Sequence, residues 1–440
     1  MSYRIAGKLL VLFGWFVLCS SACTRADTTS TLFPSAPPSA QHPTSLRIAG
    51  YFSAQNAHAS DYQVRDIPAD HLTHINYAFA ALSEEGTCVP GDPTLDTDQF
   101  FPETDSWNDP PGTLRGNFNQ LRHLKAQHAH LKTLISVGGW DGSTHFSDVA
   151  LTAASREQFA RLCVGFMRRY GFDGIDIDWE YPVVGGHPDT VARAQDRENV
   201  ILLLAELRRQ LDKQAATDGQ NYLLTIAAPA GPQVYQHLDL AQMHPLLDWI
   251  NLMTYDFHGA WDETTNFHAP LYATSSDPSA DPLVQSSFNV HAAVQGYIQA
   301  GVPPHKMLVG IPFYGPAWQG VAATNNGLYQ PAAGPALIGQ QRGVVFSRDI
   351  QHIRHTSGYT RFWHAEAQVP WLYNEQRGVM ISYEDAQSIR HKAAYIRAQR
   401  LGGAMIWELS GDDSDSPKSL LAPLATHLYE SAETSEGGEP

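Results

Sequence analysis

The chain has 440 residues, 43% apolar and only 17% charged, with 45 acidic against 29 basic side chains and a formal net charge of −16. That length admits two or three domains, or one α/β barrel with insertions, and the apolar share excludes a mainly disordered chain. The negative charge argues against nucleic acid and anionic membrane surfaces, which are held through basic patches, and leaves neutral polymers open.

At the amino terminus Arg4 and Lys8 precede the apolar run LLVLFGWFVLC (9–19). The run is too short to span a bilayer and has the layout of a secretory signal, expected over 1–22. Two outcomes stay open: a lipid-modified Cys23 that anchors the chain to the cell envelope, or cleavage after Ala22 or Ala26 and free secretion. No integral membrane span is expected after processing. Residues 23–45 are rich in Ser, Thr and Pro and read as a tether. Export permits a disulfide, but whether Cys88 and Cys163 bridge or stay as buried thiols is not readable from the sequence.

From Leu46 onward, short apolar runs alternate with amphipathic stretches. The predicted strands are RIAGYF (from Arg47), HINYAFA (His74), LKTLISVGG (Leu131), FDGIDIDWE (Phe172), YLLTIAAPA (Tyr222), WINLMTYD (Trp249), KMLVGIPFYG (Lys306) and GGAMIWEL (Gly402). Most are apolar throughout, as parallel strands covered on both faces are. The clearest helices are SREQFARLCVGFMRRYG, ENVILLLAELRRQLDKQ and YEDAQSIRHKAAYIRAQRLG. The first and third run into Gly after basic residues, a stop signal. Eight strands in one alternating series predict a (β/α)8 TIM barrel over 46–430, with a doubly wound sheet as the alternative. The series breaks over 320–382, where short mixed segments predict a small α+β insertion between the seventh and eighth strands. Residues 431–440 read as a disordered acidic tail, and the chain as a monomer.

The chemistry concentrates in FDGIDIDWEYP (172–182). Asp176, Asp178 and Glu180 share one strand face, spaced about 6.5–7 Å apart, and the row climbs to the barrel mouth, where barrel active sites lie. Asp173 has the opposite parity and belongs near the strand start. Three readings compete: glycoside hydrolysis with Glu180 as proton donor, a divalent metal site, and a buried structural network. A row spread along one strand does not converge on an ion, and three acids on one face beside Trp and Tyr-Pro favour catalysis. No metal and no cofactor are expected. His123, His128 and His130, placed on a predicted helix, read as surface residues rather than metal ligands.

The motif DGIDIDWEYP resembles the DxxDxDxE signature of glycoside hydrolase family 18, the chitinase family, at all four acidic positions. SVGGW (136–140), NLMTYDFHGAW (251–261) and GGAMIWELSGDD (402–413) are similar to that family's third-, sixth- and eighth-strand motifs. The resemblance covers roughly 46–429. It implies a secreted or envelope-anchored chitinase that cleaves β-1,4 bonds of chitin or chitooligosaccharides with retention, the substrate's own 2-acetamido oxygen serving as nucleophile. It also implies roles. Glu180 is acid and then base. Asp178 orients the acetamido N–H, and Asp176 shares a proton with Asp178. Tyr255 donates to the acetamido oxygen, and Asp256 helps position the substrate. Tyr51, Met253 and Trp407 line the sugar subsite, while Asp173 supports the fold. Phe79, Trp140, Trp261, Tyr314 and Trp371 are candidates for stacking on sugar rings, with core packing as the alternative for each, and His258 reads equally as structural. Gly138 and Gly139 end the third strand, either to admit a sugar or to make a tight turn. Rival functions are an endo-β-N-acetylglucosaminidase or peptidoglycan hydrolase of the same family, a non-catalytic chitin-binding lectin, and a metal-dependent hydrolase.

Overall fold

The computed structural model describes residues 46–429, except 340, 356–357, 414–415 and 417. The expected signal segment, the tether with Cys23 and the acidic tail lie outside the described residues.

The first long apolar runs form β1 (Arg47–Ser53), β2 (His74–Leu82), the short β3 (Cys88–Pro90), β4 (Lys132–Gly138), β5 (Gly174–Asp178), β6 (Leu223–Pro229), β7 (Trp249–Met253) and β8 (Met307–Pro312). A second group follows: β9 (Tyr314–Gln319), β10 (Gly334–Pro335), β11 (Val344–Phe346), β12 (Thr360–His364), β13 (Val369–Asn374) and β14 (Val379–Ser382). β15 (Gly403–Trp407) is the last strand. Sheet order runs β1-β15-β8-β7-β6-β5-β4-β2, and a further β1–β2 pairing closes the ring into an eight-stranded parallel barrel, with β3 antiparallel on β2. β8 is buried at every position because helices cover the outside and side chains fill the inside. Register sets the inner layer: Tyr51 pairs with Asn76, Ser136 with Asp176, and Asp176 with Thr225.

Helix ends follow local chemistry. Ala153–Tyr170 starts on the Thr152–Ser155 capping box and stops at Gly171, φ 81°. Asp196–Asp218 stops at Gly219, φ 69°. Ala386–Ala398 departs from expectation: no glycine caps it, and the chain turns at Arg400, φ 54°, before Gly402 and Gly403 lead into β15. Gly116–Gln127 carries His123, but His128 and His130 lie beyond its end, bonded to Asp70 and to the Ala69 carbonyl. Among the described residues, no group of three or more His, Cys, Asp or Glu side chains could hold a metal ion.

Between β8 and β15 a six-stranded antiparallel sheet runs β10-β9-β14-β13-β12, with β11 also on β9. It begins at Tyr314, before the 320 boundary expected from the sequence, because the run KMLVGIPFYG breaks at Phe313 and its last residues open the new sheet. One face packs Trp318, Trp371 and Met380 with Phe267; the other packs Ala317, Val345, Leu372 and Ile381. Ser347–Arg354 is its helix. Cys88 and Cys163 form a disulfide that ties β3 to the helix Ala153–Tyr170 across 75 residues of sequence. Closing a loop of that length removes about 4 kcal/mol of unfolded-state entropy in the chain-entropy treatment.

Candidate active site

The acidic row of β5 lies inside the barrel, and its members meet three different environments. Asp176 is fully buried and accepts four hydrogen bonds, from Tyr51 (2.8 Å), Ser136 (2.7 Å), Thr225 (2.5 Å) and Asn251 (3.2 Å). Burial raises its pKa and the four bonds oppose the rise. Asp178, also buried, leaves Oδ1 with no hydrogen-bond partner. Its carboxyl is pushed well above the usual range by burial, then by the charges of Glu180 and Asp176. With the Asp176 oxygens committed to other donors, no hydrogen bond joins the two aspartates; the link is electrostatic.

Glu180 stands just past the end of β5. Its backbone N–H donates to Ser143 Oγ (2.8 Å), and that hydroxyl reaches the carbonyls of Gly139 (2.8 Å) and Asp178 (3.1 Å). Burial raises the Glu180 pKa to about 7, against a hydrogen bond from Tyr181, with the charges of Asp256 and Asp141 adding to the rise.

After β7 the chain presents Tyr255 and Asp256. The Tyr255 hydroxyl contacts Met405 Sδ (3.8 Å). Asp256 has φ 55° and keeps 47% of its side-chain surface open to the groove. Protein on the remaining sides raises its pKa to about 6, opposed by a hydrogen bond from Tyr314. Asp178, Glu180, Tyr255 and Asp256 line a cleft of about 650 Å³ with Tyr51, Phe79, Trp140, Met253 and Trp407. On its floor Trp407 stacks near Phe79 (5.9 Å, 26°) and tilts against Tyr51 (5.5 Å).

The sequence profile of glycosyl hydrolases family 18 matches residues 47–412. The chain belongs to this family. It stands among the family's chitinases. Chitinase A1 of Niallia circulans is 42% identical over 88% of this chain, which spans 59% of that protein. Endochitinase 1 of Metarhizium robertsii is 36% identical over 86% of this chain and 84% of its own length. The structure of chitinase ChiA74 from Bacillus thuringiensis superposes with a TM-score of 0.81 at 39% identity, covering 87% of this chain and 70% of that one.

Within this family-18 cleft, several residues named from the sequence take other places. Gly139 does not line the groove, and a Cβ there would meet the Phe79 ring at 2.7 Å, so it serves the turn and its packing; Gly138 does line the groove, and a Cβ there would meet the Asp178 carbonyl at 2.2 Å. Tyr314 touches Asp256 instead of lining the cleft. Trp261 is 67% exposed, outside the lining, with its ring over Gly259. Trp371 belongs to the core of the second sheet, its indole N–H bonded to the Asn326 carbonyl (3.0 Å). His258 pairs with Asp262 (3.0 Å). Asp173, by contrast, lies where its parity puts it, just before the start of β5, accepting the Thr133 N–H (2.8 Å) and pairing with Lys125 (2.5 Å).

Sequence reasoning missed Ser143, Tyr181, Thr225 and His268. Thr225 had a signal: it shares the inward parity of β6 and lies level with Asp176. Ser143 and His268 sit in loops, where periodicity is silent.

Proposed function

We propose that the chain hydrolyses β-1,4 bonds of chitin and N-acetylglucosamine oligomers through an oxazolinium intermediate, with Glu180, Asp178, Asp176, Tyr255 and Asp256 as its working groups. The carrying observation is the contrast along β5: an anchored Asp176, an Asp178 with a free buried acceptor, and a Glu180 whose pKa of about 7 keeps a proton available at the cleft.

Glu180 gives its proton to the glycosidic oxygen as the bond to C1 breaks. The 2-acetamido carbonyl oxygen attacks C1 and closes a positively charged ring. Asp178 accepts the acetamido N–H at Oδ1, and in its ionised form, which the cation closing beside it favours against burial, it offsets that charge. Tyr255 donates its hydroxyl to the acetamido oxygen, and Asp256 holds the sugar in place. Water then attacks C1, Glu180 takes its proton, and the acetamide is restored with retention. Trp407, Tyr51 and Met253 form the floor under the sugar, with Phe79 and Trp140 on the walls. The amino-terminal segment supports export, with free secretion or a lipid anchor at Cys23 as the two outcomes; mass spectrometry of the mature terminus separates them.

Chitohexaose hydrolysis tests the reading. E180Q should lower kcat by about a thousandfold, the range for loss of a general acid, while oligosaccharide binding persists. Fully deacetylated chitosan, which lacks the nucleophile, should not be cleaved. An active E180Q enzyme, or efficient cleavage of chitosan, overturns the mechanism. Faster release from an N-glycan or from peptidoglycan than from chitin would move the substrate to one of the family's other classes.

A further inference from the structure

Asp256 holds a left-handed backbone conformation, φ 55°, uncommon for non-glycine residues although Asp tolerates it better than most, and its contacts help to hold it there. One such contact is a histidine. The Asp256 backbone N–H donates to His268 Nδ1 (3.3 Å), and the Asp256 carboxylate lies 3.4 Å from the same nitrogen. Accepting an N–H requires a lone pair on Nδ1, which makes the ring neutral and places its proton on Nε2, a buried nitrogen with no hydrogen-bond partner among the described residues. Its surroundings agree. Burial lowers the His268 pKa to about 3, the Lys392 ammonium and the His258 side chain act in the same sense, and the His258 backbone opposes them. The approach to Asp256 is therefore not an ion pair.

The ring itself is immobilised. It packs edge-on to Tyr314 (4.7 Å, 67°) and near Tyr255 (6.5 Å). Its backbone N–H donates to Ser382 Oγ of β14 (2.9 Å), and its carbonyl accepts the Phe257 N–H (3.1 Å). One residue on, the Ala269 carbonyl accepts the buried Lys392 ammonium (2.8 Å), which Glu384 neutralises at 2.5 Å. One residue back, Phe267 packs on Trp371 of the second sheet (5.8 Å). The groups facing His268 are thus the Asp256 carboxylate, the Lys392 ammonium with Glu384 behind it, His258, and the phenols of Tyr255 and Tyr314.

We propose that His268 is a positioning residue of the reaction: by accepting the Asp256 backbone N–H it fixes that carboxylate at the groove and fastens the site to the second sheet and to the helix Ala386–Ala398. The proposal rests on the reading of Asp256 as a substrate-positioning group. H268F keeps the ring and removes the acceptor, whereas H268N keeps an acceptor near the place of Nδ1.

On chitohexaose, H268F should lose about tenfold or more in kcat/KM, as a misplaced positioning group does, with an unchanged melting temperature, and H268N should recover most of the loss. The double variant D256N/H268F should be no slower than D256N alone. An H268F enzyme with wild-type kinetics, or losses that multiply in the double variant, overturns the role of His268. D256N with full activity removes the reading of Asp256 itself, a separate result. Should H268F fail to fold, ¹⁵N-histidine NMR of the wild-type enzyme decides. The resonance missing in H268N must show an unprotonated Nδ1 from about pH 5 to 8; a protonated Nδ1 overturns the proposal.

Discussion

Glu180, the proposed acid, shows how burial keeps one carboxyl protonated near neutrality. Its ordinary pKa lies near 4.5, and burial lifts it to about 7. A raised carboxyl pKa means that the proton is held below about pH 7 and lost above it. The kcat/KM for a soluble chitooligosaccharide should therefore be flat or rising up to about pH 7 and fall about tenfold per unit beyond it. A fall that begins near pH 4.5 would show that Glu180 is not held protonated by burial. The acidic row was legible because strand periodicity places alternate residues on one face, and three acids there have no bland explanation. The partners of the row were not legible. Asp176 draws its donors from β1, β4, β6 and β7, and only barrel register brings Tyr51, Ser136, Thr225 and Asn251 to one carboxylate. For aromatics the sequence states size but not face. Trp407 and Trp371 both sit in strands, yet one floors the cleft and the other fills a core.

At the scale of elements, all eight barrel strands could be read from their apolar runs, whereas the edges of the second sheet could not. β9 follows β8 almost without interruption, so one apolar run carries two strands of different sheets. The helix Ala386–Ala398 contributes more than cover for the barrel. Its Lys392 is fully buried against Glu384, and for both residues burial is the leading influence on pKa, lowering the lysine and raising the glutamate. Desolvation on that scale makes the pair costly to break from one side. K392M should destabilise the protein by about 3–5 kcal/mol, because Glu384 is left buried without its cation, and K392M/E384L should recover most of that loss. Thermal melts of the two variants check this. A K392M protein as stable as wild type would mean that water reaches Glu384.

Across the whole molecule, groups with raised and lowered pKa values shape the response to pH. His268, buried, and His74, half-buried, are held neutral with pKa values of about 3, so they favour unfolding progressively as pH falls below about 6.5. Buried carboxyls act in the opposite sense: Glu180 and Glu408, both near 7, weaken the fold as pH rises from about 4.5 toward 7. Asp178 belongs to this second set and is its extreme member, with an acceptor that no protein group satisfies. Such a residue is a standing burden on the folded state, and in the proposed mechanism the acetamido N–H of the substrate relieves it. D178N, equal in shape but unable to carry the charge, should be nearly inactive and yet melt higher than wild type. The gap should widen from about pH 4 to pH 7, as the wild-type group increasingly has to take up a proton or carry a buried charge. A gap that stays constant across that range would assign the effect to something other than ionisation. On the proposed mechanism durability is exchanged for a carboxylate waiting in the dark of the barrel, and the enzyme should be at its most durable once its substrate is bound.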